Sequence, residues 1–428
     1  MMATAIRNRE VLVYADWSSL ESAQLMGILR AELLRGKEIF SFEYDSQWLE
    51  SNYAQLLDPD LQLYSGKQYL NETSKSNFGL FLDSSPDRWG RVLMRRREAA
   101  LARLEERPEN NLFETDYLLG VFDGHRMGGL RFKTDESEVY LSNDSKLASP
   151  PWTSIRELEQ ISLRLEEDDV IQDPDYLKWL NMLVAPGASL GGARPKASVL
   201  DQNKALWIAK FPSKNDDTDI GGWEMVVHTL AKKAGIIMAE GFAQKFSTKN
   251  HTFLTKRFDR NPDGSRIHFA SAMTLLGYTD GQDYLDGVSY LELAEYIMNN
   301  GASVEEDLEQ LWRRIVFNIC VSNVDDHLRN HGFILSEKGW RLSPAYDINP
   351  VETGSGLKLN ISENDNSLDL NLALTVIPFF RLNEEKAFAI IEDVNNAVTS
   401  WREVAKELKI PNQQIEAKAK AFQKASKS

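Results

Sequence analysis

Between residues 303 and 321 the apolar side chains Leu308, Leu311, Trp312, Ile315, Val316, Ile319 and Cys320 recur at three- and four-residue steps. That spacing predicts a buried helix with one broad apolar face. Ser303, with Glu306 three residues on, has the form of a capping box at its start. Short strand-like runs, Val11 to Tyr14 and Ile39 to Tyr44, predict a small β-rich module up to about residue 70. Ser85 followed by Pro86 predicts a helix start with proline at its first position. A polar stretch from Phe132 ends in Ser149-Pro150-Pro151 and predicts a border near residue 150, before a helix over Thr153 to Glu166. Ala197 to Leu200 and Ala205 to Phe211, joined by Asp201-Gln202-Asn203-Lys204, read as a hairpin, followed by a helix over Trp223 to Ala234. Beyond Ile267 the chain reads as mainly helical, and no repeat with a period of about 20–50 residues is visible. The expected parts are 1–150, 151–260 and 261–428.

Composition narrows the class. At 428 residues the chain exceeds one hydrophobic core, and 42% hydrophobic with 26% charged residues is the usage of a globular protein. The apolar run Val11 to Ala15 is too short for a signal peptide or a membrane span, so a cytoplasmic location with no membrane is expected. The single cysteine, Cys320, reads as a core residue. A net charge of −15 opposes charge-driven adhesion to nucleic acid. The one basic cluster, Arg88, Arg91, Arg95, Arg96 and Arg97, has helical spacing and reads first as a solvated helix face.

The chemistry lies directly after the apolar helix, in Asn323-Val324-Asp325-Asp326-His327-Leu328-Arg329-Asn330. Phosphoryl transfer needs a carboxylate to take the hydroxyl proton, and an Asn five residues later to bind magnesium; Asp325 and Asn330 have that spacing. A hairpin over Gly332 to Leu342 leads on to Asp347, whose hard oxygens would suit Mg²⁺. A second reading puts a transition metal on Asp325, His327 and His331. Upstream, Ser189-Leu190-Gly191-Gly192-Ala193-Arg194-Pro195-Lys196 is a small-residue loop of the kind that brings backbone N–H groups close to phosphate, although no Walker A pattern is present. Lys210 ends an apolar strand and needs an anionic partner, either phosphate or Glu224 on the next helix.

Taken together, the loop Ser189 to Lys196, Lys210-Phe211-Pro212, Lys256-Arg257-Phe258-Asp259-Arg260, Asp325 to Asn330 and Ala345-Tyr346-Asp347-Ile348, with Ser85 to Arg91 upstream, resemble the HipA family of toxin–antitoxin kinases. The resemblance implies an α+β, two-lobed protein-kinase-like fold with a β-rich N-terminal subdomain and a helical C-terminal lobe. It further implies ATP and Mg²⁺ as cofactors. Ser189, Gly191, Gly192, Ala193, Arg194, Lys196 and Lys210 would surround the phosphates, with Glu224 orienting Lys210. Lys256, Phe258 and Tyr346 would lie at the nucleotide. Asp325 would be the catalytic base, His327 its support, and Asn330 with Asp347 the metal ligands. Arg194-Pro195 stands where some members carry Gln-Glu, and Pro195 lacks an N–H donor.

The family implies serine/threonine kinase activity and a cytosolic protein target such as an aminoacyl-tRNA synthetase. It also implies autophosphorylation at Ser189, and a HipB-like helix-turn-helix antitoxin through which DNA is met indirectly. A nucleotide-binding corepressor without turnover and a metal-dependent hydrolase are the alternatives.

Overall fold

In a computed structural model, the described residues are 8–70, 74–135, 139–143, 150–167, 169–184, 192 and 194–426. The chain forms two compact units, Met1–Ile208 with Asp259–Ala270, and Ala209–Phe258 with Ser271–Ser428.

The first unit is built on a five-stranded sheet of order β4-β3-β2-β1-β5. Its strands are β1 (Asn8–Ala15), β2 (Gln24–Leu34), β3 (Lys37–Tyr44), β4 (Gln68–Tyr69) and β5 (Leu130–Lys133). The longest, β2, escapes the sequence reading because its Leu, Met, Ala and Glu residues favour helix, and only pairing on both sides makes it a strand. Gly27 permits the approach of β3, since a Cβ there would lie 2.3 Å from the Glu43 carbonyl.

The helix Arg88–Leu104 starts two residues later than expected. Its cap is Asp87, which accepts from Gly90 N at 2.9 Å, while Ser85 Oγ donates to the Phe81 carbonyl. The basic face of this helix is largely engaged within the unit. Arg91 makes a bidentate pair with Glu114, Arg96 donates to the Leu165 carbonyl, and Arg97 donates to Asn181.

The returning segment 259–270 is woven into the interior of this unit. Gly128 N donates to Asp259, Arg266 donates to the Asp123 carbonyl, and the His268 ring stacks on Trp17 at 4.8 Å. Strand β6 (Lys196–Leu200) runs through the Asp201–Lys204 turn into β7 (Leu206–Lys210), within which the chain leaves the first unit.

The second unit centres on the helix Val304–Val321, in which Trp312, Ile315, Val316, Phe317 and Ile319 have no exposed surface. Each such side chain contributes about 1.5–3 kcal/mol by burial. The expected capping box does not form: Ser303 makes no side-chain cap bond. Glu306 and Asp307 instead hold Arg341, and Asp307 also accepts from Leu342 N. The helix start is thereby tied to the antiparallel hairpin Gly332–Ser336 and Gly339–Leu342. Cys320 is buried beside Asn395.

Strands β8 (Gly241–Gln244) and β9 (Thr252–Lys256) pair antiparallel. The helix Ile220–Lys233 packs against the C-terminal helices through Trp223, Trp401 and Phe422. No helix among the described residues is long and apolar enough to cross a membrane.

Candidate active site

The buried helix ends at Val321, and Ser322 caps it in the left-handed region at φ 51°, turning the chain into the loop 323–330. Neighbouring carboxylates in this loop have opposite fates. Asp325 is exposed and makes no side-chain hydrogen bond or ion pair to the described residues. Asp326 is buried, and its Oδ2 accepts from Tyr290 Oη at 2.5 Å, Asn318 Nδ2 at 2.8 Å and His331 Nε2 at 2.8 Å.

Burial alone would push the Asp326 carboxyl up, but His331 and Tyr290 outweigh it and hold it below the ordinary carboxylate value. Burial beside Asp326 also raises the Tyr290 phenol well above its usual range. Arg314, on the same helix, donates to the Ser343 carbonyl, and burial pulls its guanidinium down to about 10 against the attraction of Asp326. Asp326 thus bolts the loop down while Asp325 faces water.

The rest of the loop is a 3₁₀ turn, Leu328–Asn330. Asn330 donates its amide to the Asp325 carbonyl at 2.9 Å, which leaves its buried Oδ1 without a hydrogen-bond donor among the described residues. His327 Nδ1 is likewise buried and has no hydrogen-bond partner among the described residues. Tyr346 Oη donates to the Arg329 carbonyl at 2.8 Å, so the 345–348 segment lies against this loop, and the Tyr346 ring is 5.7 Å from Phe258.

Asp347 follows at φ 57°, a left-handed conformation that costs a non-glycine residue about 1–3 kcal/mol and collects at functional sites. Its Oδ1 accepts from Lys210 Nζ at 2.7 Å, and the same amine donates to Glu224 at 2.7 Å. Burial would lower the Lys210 amine, but Asp347 and Glu224 prevail and hold it above the ordinary lysine value. The unfilled Asn330 Oδ1 and the Asp347 carboxylate are hard oxygen donors and fit Mg²⁺.

Other expected residues are placed differently. Lys196 turns inward in the first unit, 2.6 Å from Asp87, with both side chains 2% exposed; the amine assigned to phosphate from the sequence has a protein partner here. Gly192, at φ 84°, and the half-buried Arg194 are described; Ser189, Gly191 and Ala193 lie outside the described residues. Lys256 ends β9 with its amine near Glu240 on the surface.

The transition-metal reading loses its ligands. His331 is committed to Asp326, and no three His, Cys, Asp or Glu side chains among the described residues gather as a metal would need. Tyr290, Asn318 and Arg314, which surround Asp326 and support the loop, are not predicted by the sequence motifs. Arg314 and Asn318, four residues apart in an apolar helix, were the available signal; Tyr290 offers none locally.

Comparison with known proteins adds a lineage. The family model for the HipA-like C-terminal domain matches residues 188–402, half of the chain. The serine/threonine-protein kinase toxin HipA of Shewanella oneidensis is 25% identical over 279 residues, covering 57% of this chain and 61% of that protein. A provisionally named kinase of Haemophilus influenzae is 25% identical over 179 residues, covering 38% of this chain and 52% of that protein. The chain therefore matches only about half to three-fifths of these relatives' lengths. A chain from the Shewanella oneidensis MR-1 complex of HipA, HipB and operator DNA superposes with a TM-score of 0.64 at 17% identity, covering 97% of this chain and 95% of that one. The fold is accordingly the kinase-like α+β one.

Proposed function

This chain belongs to the HipA family, and from that premise we propose that it is an ATP- and Mg²⁺-dependent serine/threonine protein kinase of the toxin type. The observation that carries the reading is Lys210 held between Glu224 and Asp347, with the Asp347 segment lying against the loop that presents Asp325. Asp325, exposed and unpaired among the described residues, is the group able to accept the proton of an incoming hydroxyl. Asn330 and Asp347 would hold the metal, and Lys210, oriented by Glu224, would meet phosphate oxygens. Mg²⁺, when bound, supplies neutralisation of the charge on the phosphates. Asp326 holds the loop rigid throughout, so that Asp325 need not reorganise.

The protein target is proposed to be a cytosolic translation component such as an aminoacyl-tRNA synthetase, with Ser189 as a site of self-modification. A HipB-like antitoxin is the proposed partner, a reading supported by likeness in fold to a chain from a HipA–HipB–DNA complex. The test is incubation with γ-labelled ATP and Mg²⁺, alone and in a cytosolic extract. We expect label in protein, and a rate about 10²–10⁴-fold lower in Asp325→Ala. Nucleotide binding with no transfer by the unmodified chain would overturn the kinase in favour of a corepressor.

A further inference from the structure

We infer that Asp219 and His251 form a positioning clamp that sets where Glu224 meets Lys210. The catalytic consequence rests on the kinase reading above; the geometry does not. Glu224 lies early in the helix Ile220–Lys233, so its location depends on how that helix begins. Asp219 caps it, with Oδ1 accepting from Gly222 N at 3.1 Å and from His251 N at 2.7 Å, and Oδ2 accepting from His251 Nδ1 at 2.6 Å. Both residues are buried.

A serine or threonine would satisfy a helix N-terminus. The additional bonds to His251 do something a cap alone does not: they lock the helix to the residue that precedes β9. The fit leaves no slack. A Cβ on Gly221 would lie 2.2 Å from the His251 carbonyl, and one on Gly222 would lie 2.9 Å from the Asp219 carboxylate. Behind the clamp, Asp219 N donates to Gln414 at 3.0 Å, and Trp223 packs on Trp401 and Phe422. The first turn is therefore held by β9's entry on one side and by the C-terminal helices on another. A slip of one residue would swing Glu224 by about 100° around the helix axis and take it from Lys210. Burial would push the Asp219 carboxyl up, yet the bonds from His251 hold it below its ordinary value, in keeping with a carboxylate that stays charged in the clamp.

The first test needs no nucleotide: the rate at which a limiting amine-acylating reagent labels Lys210, followed by mass spectrometry in the full chain. With Glu224 displaced, Lys210 loses one of its two carboxylates and becomes more reactive. We expect His251→Ala to raise labelling roughly fivefold, Glu224→Gln to do the same, and the double variant to add nothing further, because both act on one contact. His251→Asn, which keeps a donor near the Nδ1 position, should restore the slow rate. Wild-type labelling in a folded His251→Ala protein, or effects that multiply in the double variant, would overturn the clamp. If His251→Ala does not fold, His251→Gln carries the same comparison.

The second readout is phosphate transfer, in which His251→Ala should raise KM for ATP while KM for the protein acceptor stays put. Loss of folded protein alone would lower kcat and leave both KM values unchanged. An absence of transfer by the wild type would sink the kinase reading and leave the labelling result standing.

Discussion

Asp325 and Asp326 are adjacent in sequence, yet one faces water and the other receives three buried hydrogen bonds. Their substitutions should separate accordingly. Asp325→Ala should leave stability within about 0.5 kcal/mol, as for an exposed side chain with no partner among the described residues. Asp326→Ala strands Tyr290, Asn318 and His331 in the interior and should cost about 3–5 kcal/mol, read from urea unfolding. The pH dependence of that stability has a definite sign. Because the Asp326 carboxyl lies below its ordinary value when folded, its contribution is complete above 3.8 and is lost as pH falls from there towards the lowered native value. Asp326→Asn should flatten the urea midpoint across that acid window. Asp325, Asn330 and Asp347 stand out in the sequence as candidates because their spacing is local and their chemistry specific. The network that makes the loop rigid was not, since Tyr290 and Asp326 stand 36 residues apart.

Among the elements, the helix Val304–Val321 and the hairpin after it could be read directly, because their apolar periods coincide with what the fold buries. Their junction could not. Glu306 looked like a capping partner for Ser303, but the fold brings Arg341 within 2.8 Å, and a guanidinium outcompetes a backbone N–H. Strand β2 was hidden by its own composition. The start of the Ile220–Lys233 helix teaches the same lesson through glycine: Gly221 matters for the space it leaves against the His251 carbonyl. Gly221→Ala should destabilise by about 1–3 kcal/mol, measured as a lower urea midpoint.

For the molecule as a whole, a net charge of −15 sets the expectation for nucleic acid. In a gel-shift titration with operator DNA, this chain alone should produce no retained complex, because its 64 acidic side chains outnumber its 49 basic ones and repel the phosphate backbone. Adding a basic HipB-like partner should produce one that weakens steeply with salt. The resemblance read from motifs reached the fold class correctly, as the superposition on a HipA–HipB–DNA complex chain attests. The route of the chain through its two units was invisible to it, because no composition shift marks residues 208, 258 or 270.

That route makes the order of synthesis differ from the order of assembly. A nascent chain cannot finish its first unit until residue 270 has left the ribosome, and by then 50 residues of the second, 209–258, are already outside. Those 50 residues must wait, their apolar surface open to chaperones, until the remainder emerges. A chain truncated after residue 208 would likewise deprive the first unit of Asp259, Arg266 and His268, three groups from its interior.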